Sequence, residues 1–245
     1  MKKNSSRITH VITTLLTVIL VFSICTPFAY AADTKKYSDC TTNAERIQYF
    51  EDTYGFTYIS PDKGTATKKV LDTAMAGFSL VGTNTSKIFL KPFDKTLNFT
   101  IWSSSEWSYE PSSFGGNNRG EADLMLSETA TTKNVVHELM HAFNDGILEG
   151  SGNASMLSIN GKYSGYTNAN QYVTSYAATQ SFEDFAETCA NMIINGDDKP
   201  CTLSKDTILY KKYVACYNLM LEHLGAKSNA VKRAASFLGK ELPAE

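Results

Sequence analysis

The stretch from Val135 to Phe143 constrains this chain more than any other, because it places two histidines and a glutamate within a run of apolar residues. Residues four apart share a helix face, so His137 and His141 can approach one metal ion together. Glu138 can then reach a water molecule beside that ion. This His-Glu-x-x-His spacing is typical of zinc hydrolases, in which two imidazoles bind the metal and the carboxylate takes a proton from water. The apolar flanks predict that the helix is buried.

Residues 1–31 predict a secretory signal peptide. Three basic residues precede a mostly apolar run at positions 11–24, and an Ala-Tyr-Ala cleavage pattern ends at Ala31. An uncleaved N-terminal anchor is the alternative, but the run is short for a membrane span. We expect a secreted, extracellular protein, cut after Ala31, whose mature chain (residues 32–245) has no stable membrane insertion.

Composition limits the partners of the mature chain. Removal of 31 from 245 residues leaves 214, which suits one domain with a substantial core. Three of the 23 basic residues and none of the 25 acidic ones lie before residue 32, so the mature net charge is −5. A mildly acidic chain without a basic run is not expected to bind nucleic acid. We expect a monomer that acts on a protein or peptide substrate.

The mature chain contains four cysteines, whose pairing the sequence leaves open. In an exported protein they permit two disulfides with three possible connectivities, and free buried thiols are the alternative. The chain contains no Cys-x-x-Cys pair, so the sequence does not predict a structural zinc site. The four are Cys40, Cys189, Cys201 and Cys216.

The hydrophobic pattern predicts an α+β protein with a small mixed sheet in an N-terminal lobe and a helical C-terminal lobe. The strand at 122–127 could pair with a substrate or belong to the core. We expect Gly146 to end the His-Glu-x-x-His helix as a left-handed cap, and Ser181 to cap a later helix. The predicted helices cover 41–50, 65–78, 132–143, 181–192, 207–224 and 229–238, the strands cover 87–90, 97–102 and 122–127, and the loops cover 103–119, 150–153 and 161–170.

Two histidines do not complete a catalytic zinc site, which usually has three protein ligands. Glu183 and Glu187 are the best candidates, because they share a face of a predicted helix whose other residues are largely apolar. Acidic groups there are costly unless a cation or donor meets them. One would bind the metal, and the other would accept the distal N–H of a ligand histidine. His223, Asp145 and a solvated acidic first turn are the alternatives.

These motifs resemble the catalytic domain of anthrax lethal factor and its relatives, which include secreted Pro-Pro endopeptidases. The resemblance rests on His137-Glu138-Leu139-Met140-His141, on Tyr176, and on Glu183-Asp184-Phe185-Ala186-Glu187 seven residues after that tyrosine. It implies a zincin-like metallopeptidase with an active-site cleft between its two lobes.

The resemblance also implies a role for each residue at the site. One catalytic Zn²⁺ would be bound by His137, His141 and Glu183, with Glu138 as the general base. Tyr176 would donate a hydrogen bond to the oxyanion, and Glu187 would orient a ligand histidine. Tyr172 is an alternative oxyanion donor, and Tyr163 and Tyr166 are weaker ones.

The sequence therefore predicts a secreted zinc endopeptidase that hydrolyses extracellular proteins. The alternative is a non-catalytic zinc-binding or regulatory protein on a degenerate peptidase fold, although a protein without activity need not keep Glu138 and Tyr176. A toxin subunit would need a separate delivery partner. The loops at 103–120 and 146–174 carry no readable specificity code, and a preference for proline would rest on family analogy alone.

Overall fold

The computed structural model describes residues 36–55, 67–90, 97–102, 112–116, 122–165 and 168–243. The chain divides into two units, residues 1–39 and 40–245. In the first unit the described part is a single 3-10 turn, Tyr37–Asp39, and the predicted signal peptide lies outside the described residues. Every helix of the described part is too short or too polar to cross a bilayer.

In the second unit, helices precede and follow a small sheet, so the predicted α+β class is confirmed. The elements are α1 (Asn43–Tyr54), α2 (Lys68–Val81), α3 (Thr83–Leu90), β1 (Leu97–Trp102), β2 (Ser112–Gly116), β3 (Ala122–Ser127), α4 (Thr132–Gly146), α5 (Ser151–Asn160), α6 (Ser181–Asn195), α7 (Ile208–Leu224) and α8 (Asn229–Leu238).

The sheet is mixed, as predicted, with the strand order β1-β3-β2. β1 runs parallel to β3, with Leu97 opposite Ala122, and β2 runs antiparallel to β3, with Ser112 opposite Leu126. β3 therefore lies in the centre and both of its edges are paired. Of the two roles expected for residues 122–127, the structure shows the core strand. The two edge strands of the sheet are β1 and β2.

The His-Glu-x-x-His helix α4 begins where the sequence predicts and ends later. Thr131 caps it, because its side chain accepts from the Asn134 N–H while the Asn134 side chain accepts from the Thr131 N–H. The expected left-handed cap at Gly146 is wrong. The helix ends instead at Ile147, which has right-handed helical angles. The N–H groups of Ile147 and Leu148 both bond to the carbonyl of Phe143, so the end of the helix needs no positive φ.

The predicted strand at residues 87–90 is wrong, because these residues form the second half of α3. The helical turn starts upstream at Gly82, whose carbonyl accepts from both the N–H and the hydroxyl of Ser86. α3 then packs against α4. Four residues, of which three are apolar, are too few for periodicity to separate helix from strand, so the preceding turn and the packing decide.

The predicted loop at 150–153 is wrong in part, because α5 begins at Ser151. Gly150, with a φ of 82°, precedes α5, and the composition of the next three residues resembles a loop. Gly152 is needed for packing, because a Cβ there would lie 2.7 Å from the ring of the buried Phe185.

The predicted cap of α6 at Ser181 is wrong by one residue. The residue that caps α6 is Gln180, without a side-chain hydrogen bond, and Ser181 is the first helical residue.

Helix α4 lies at the centre of the described core and packs against α2 and α6. Ten of its residues are buried, among them the apolar Val135, Leu139 and Phe143. Gly77 of α2 lets the two helices approach closely, because a Cβ at that position would lie 2.4 Å from Cγ1 of Val135. The helix that carries the histidines is therefore held by close packing along its apolar side.

This close approach predicts that Gly77→Ala destabilises the protein although alanine favours helices. Overpacking of this kind costs about 1–3 kcal/mol, which should appear as a lower midpoint in urea and a lower Tm. Ser79→Ala is the matched control, because Ser79 is exposed on the same helix and its free energy of unfolding should stay within about 0.5 kcal/mol of wild type. Equal stability of Gly77→Ala and the control would contradict the close packing of α2 on α4.

Candidate active site

Two facing helices bring the candidate ligands together. Residues four apart on α4 (Lys133, His137 and His141) face residues four apart on α6 (Glu183 and Glu187). Lys133 contacts Glu187, His137 contacts both glutamates, and His141 contacts Glu183. Residues further along α4 contact residues earlier in α6, so the two helices run antiparallel. His141 and Glu183 are 42 residues apart in the sequence and are in direct contact in the structure.

The ligand atoms of His137, His141 and Glu183 form a small triangle. The two Nε2 atoms lie 3.0 Å apart, and Glu183 Oε2 lies 3.0 Å from His137 Nε2 and 3.2 Å from His141 Nε2. Ligand atoms around a tetrahedral zinc ion, with bonds of about 2.0–2.1 Å, are separated by roughly 3.3 Å. The observed triangle is close to one face of such a tetrahedron. All three residues are buried, and two imidazoles with one carboxylate are a common donor set for catalytic zinc.

Glu138 lies beside this triangle but is bonded elsewhere. Oxygen or nitrogen atoms of His137, Glu138 and His141 lie within 4.8 Å of one another, so Glu138 is a conceivable ligand by distance alone. Glu183 Oε2, however, lies 3.0 and 3.2 Å from the two imidazole nitrogens, and Glu138 Oε1 accepts a hydrogen bond of 2.6 Å from the hydroxyl of Ser112. Glu183 therefore faces both imidazoles, whereas the carboxylate of Glu138 lies beside them.

Glu187 connects three parts of the site. Its Oε1 lies 3.0 Å from Nδ1 of His137, although the angle falls short of a well-aligned hydrogen bond. Its Oε2 accepts from Lys133 Nζ at 2.7 Å and from Thr174 Oγ1 at 2.8 Å. This is the place expected for a carboxylate that orients a ligand histidine. The sequence analysis did not predict that Thr174 and Lys133 donate to Glu187. No motif marks Thr174, and Lys133 is notable only because it shares the helix face of His137.

The charged side chains of the cluster shift one another's pKa values. Burial opposes protonation of His137, but its close contacts with the carboxylates of Glu183 and Glu187 raise its pKa to about 9. Burial likewise opposes ionisation of the two glutamates, yet His137 and His141 lower the pKa of Glu183 to about 2, and His137 and Lys133 lower that of Glu187 to about 2. For Glu138, burial dominates and raises the pKa. The cluster thus holds two ionised carboxylates, which are balanced by positive charge on His137 and Lys133.

Tyr176 lies at the rim of the site and is 44% exposed. Its hydroxyl donates to Glu183 Oε1 at 2.8 Å, and its ring centroid lies 5.9 Å from that of His137. The segment that carries it is tied to Glu187 through Thr174, whose Oγ1 also accepts from the N–H of Ala177. Tyr176 thus reaches the cluster at the oxygen of Glu183 that does not face the histidines.

The described alternatives to these residues make no contact with the ligand triangle. Tyr172 is buried and its hydroxyl accepts from Asn160, while the hydroxyl of Tyr163 donates to Asp184. Tyr166 lies outside the described residues. His223 is exposed on α7. Asp145 lines the same cavity as the histidines but makes no contact with the ligand triangle among the contacts described.

A buried ion pair supports α6 one residue beyond Glu183. Lys212 of α7 and Asp184 are both fully buried, with Nζ 2.5 Å from Oδ2. The same Nζ donates to the carbonyl of Gln171 at 2.7 Å and lies 4.0 Å from the ring centroid of Tyr172. Burial lowers the pKa of Lys212 and raises that of Asp184. Lys212 therefore joins α6, α7 and the segment before Tyr176, a role that no sequence motif indicates.

A cavity of about 480 Å³ opens over the cluster. β2, α4, α5, α6 and the segment before α6 all contribute to its wall. Its described lining residues are Ser112, Ser113, His137, Glu138, His141, Asp145, Asn153, Tyr176, Gln180, Phe182 and Glu183. It is large enough for a few residues of a peptide to contact the cluster.

The four cysteines of the second unit are free thiols, so the structure shows the alternative without disulfides. Cys40, Cys189 and Cys216 are buried, and Cys201 is partly buried. Burial, together with the neighbouring Cys189, raises the pKa of the Cys216 thiol well above its usual range. A thiol of this kind is poorly reactive, which fits a role in packing.

Comparisons with known proteins give little guidance. No protein-family model matches the sequence, and the curated proteins gave no significant match. A solved structure from Bacteroides caccae, classed provisionally as a zinc-binding metallo-peptidase, aligns at 14% identity with a TM-score of 0.46, over 79% of this chain and 90% of that one. A likeness this weak assigns neither a family nor an activity, so the function has to be inferred from the site itself.

Proposed function

We propose that this protein is a zinc-dependent endopeptidase. One observation carries the proposal, namely the triangle of His137 Nε2, His141 Nε2 and Glu183 Oε2, with separations of 3.0–3.2 Å. Two imidazole nitrogens and a carboxylate oxygen that converge in this way suit one tetrahedral cation. A carboxylate that is not a ligand and a tyrosine hydroxyl adjoin the triangle, which is the set of groups that peptide hydrolysis requires.

Each group of the site would have a separate role in hydrolysis of the peptide bond. A bound zinc ion would polarise the scissile carbonyl and lower the pKa of water to about 7. Glu138 would accept the proton of the attacking water on one carboxylate oxygen and deliver it to the leaving amine. Ser112 holds Glu138 Oε1 and so fixes the orientation of the carboxylate. The hydroxyl of Tyr176 would donate to the oxyanion, a contribution of about 2.7–4 kcal/mol for a well-placed donor.

The finer assignments belong to the same proposal. The motifs support a place near the lethal factor-like peptidases, and the predicted signal peptide supports secretion and an extracellular protein or peptide substrate. Glu187 is proposed to set the orientation of His137 through Nδ1, supported by Lys133 and Thr174.

Removal of the metal should abolish activity and lower stability together. We expect the purified protein to hold one zinc per chain by elemental analysis, and 1,10-phenanthroline to stop cleavage of a peptide mixture. A ligand that binds only the folded state stabilises it by about 2.7 kcal/mol at 100 times its Kd, so the Tm should fall on chelation and recover with stoichiometric zinc. Cleavage that persists without metal would refute the proposal.

Tyr176→Phe should separate two roles for this hydroxyl, which has one proton to donate. If Tyr176 serves the oxyanion, kcat should fall about 10²–10³-fold with the zinc affinity nearly unchanged. If it mainly fixes Glu183, through the bond of 2.8 Å, the zinc affinity should fall about 10–100-fold. We expect the first result. Titration with a competing chelator and steady-state kinetics measure the two quantities independently, and a fall confined to zinc affinity would contradict the oxyanion role.

A further inference from the structure

The cavity extends along α4 beyond the residues assigned above. Asp145 lies one helical turn past His141 on the same face, which is about 6 Å along the helix axis, and it lines the cavity. Asn153 of α5 and Phe182 of α6 line it as well. The ring centroid of Phe182 lies 5.9 Å from that of His141, so this end of the cavity adjoins the proposed metal site directly.

Two acceptors at this end lack a full set of donors. Oδ1 of Asn153 is buried and has no hydrogen-bond partner, which is costly unless a donor arrives. Asp145 is exposed, and its Oδ1 accepts at 2.9 Å from Nδ2 of Asn144, a fully buried residue of the same helix. No other described residue forms a hydrogen bond or an ion pair with the side chain of Asp145. The carboxylate is thus held by a fixed amide and can still accept further hydrogen bonds.

The charge at this end of the cavity is uncompensated. The described residues that line the cavity include neither lysine nor arginine. The carboxylate of Glu183 faces the two histidines and that of Glu138 is held by Ser112. Asp145 is therefore the one carboxylate among the described lining residues that neither the proposed ligand set nor the proposed base uses.

We infer that Asp145 and Asn153 form a subsite for a basic substrate side chain, lysine or arginine, close to the bond that is cut. An ammonium or guanidinium group offers only donors, and it would pair with the carboxylate of Asp145 and neutralise its charge, while a rotation of the Asn153 side chain would bring its buried Oδ1 within reach of the same group. Phe182 would pack against the aliphatic part of such a side chain. A bound metal ion fits less well, because calcium needs six to eight oxygen ligands and this end offers a single carboxylate.

The geometry limits where the basic residue lies in the substrate. An extended peptide advances about 3.3 Å per residue, and Asp145 lies about 6 Å from His141 along the helix. The basic residue should therefore be within two residues of the scissile bond. This inference rests on the proposed peptidase function and adds a substrate class to it.

The test uses the zinc-loaded full chain and a peptide that the wild type cleaves, found by library profiling. The two positions on each side of the cleaved bond are varied in turn among arginine, lysine, glutamine and glutamate. At one position, kcat/KM should be at least about 10-fold higher for arginine or lysine than for glutamine. Asp145→Asn should bring this ratio close to one, and Asp145→Lys should reverse it in favour of glutamate.

The control is Asp206→Asn, which removes a carboxylate from an exposed residue that does not line the cavity. This variant should keep the wild-type ratio. A wild type that cleaves peptides with a ratio near one, or a ratio that survives Asp145→Asn, would overturn the subsite and leave the peptidase proposal intact. A zinc-loaded wild type that cleaves no peptide in the library would overturn both.

Discussion

Glu138→Gln should lower peptidase activity by about 10²–10⁴-fold while the protein keeps one zinc ion. Glutamine has nearly the same shape as glutamate but cannot accept a proton at neutral pH, so it removes the general base and little else. The hydroxyl of Ser112, 2.6 Å from Glu138 Oε1, can still donate to the amide oxygen of glutamine. Because Glu138 is not in the proposed ligand set, zinc content should not change. Steady-state kinetics and elemental analysis of the same preparations measure both.

The matched control is Glu222→Gln, which makes the same chemical change at an exposed position on α7 and should retain full activity. Loss of zinc from Glu138→Gln would mean that Glu138 is a ligand, as its distance alone permits. Undiminished cleavage by Glu138→Gln would exclude the mechanism. A wild type that binds zinc stoichiometrically but cleaves nothing would favour the non-catalytic zinc-binding alternative.

The parts of the site that sequence reasoning could find are those fixed by local spacing. His137 and His141 share a face because they are four apart on a helix, and Glu183 and Glu187 share a face for the same reason. That Glu183 meets the histidines depends on how α4 and α6 pack, which spacing cannot give. The cost of acidic groups on an apolar helix made one of the two glutamates the expected ligand, and the resemblance selected Glu183, whose Oε2 lies 3.0 and 3.2 Å from the two Nε2 atoms.

The residues that no motif marked act through contacts between distant parts of the chain. Ser112 reaches Glu138 across 26 positions, and Lys133 reaches Glu187 across 54. A lone serine in a polar stretch and a lysine in a first helical turn both resemble ordinary surface residues. Only the folded arrangement shows that each one donates to a carboxylate of the site.

The errors in secondary structure have the same origin. Residues 87–90 form a helix because the turn at Gly82 precedes them and α4 packs beside them. α5 begins in a stretch that resembles a loop because Gly152 leaves room for the ring of Phe185. In both places tertiary packing overrides a weak local preference.

The buried pair of Lys212 and Asp184 connects stability with the site. Asp184 follows Glu183 on α6, and Lys212 also donates to the carbonyl of Gln171, five residues before Tyr176. The hydroxyl of Tyr163 donates to the same Asp184 oxygen at 2.6 Å. The position of the proposed ligand Glu183 and that of the Tyr176 segment therefore depend on one network.

Lys212→Met should destabilise the protein more than Gly77→Ala does. Removal of one partner from a buried pair leaves an uncompensated charge, which costs about 3–5 kcal/mol. Asp184 has no exposure to water that could relieve it, and the carbonyl of Gln171 loses a donor as well. Thermal and urea unfolding should show the loss, with a fall in Tm of roughly 10 °C for a chain of this size.

Two further variants distinguish this explanation from a general intolerance of change in α7. Lys211→Met alters the neighbouring, exposed residue and should stay within about 0.5 kcal/mol of wild type. The double variant Asp184→Asn with Lys212→Met removes both charges and should recover much of the stability, because replacing a whole buried pair is far less costly than breaking it. Failure of the double variant to improve on Lys212→Met would mean that packing of the lysine stem, rather than its charge, stabilises this part of the fold.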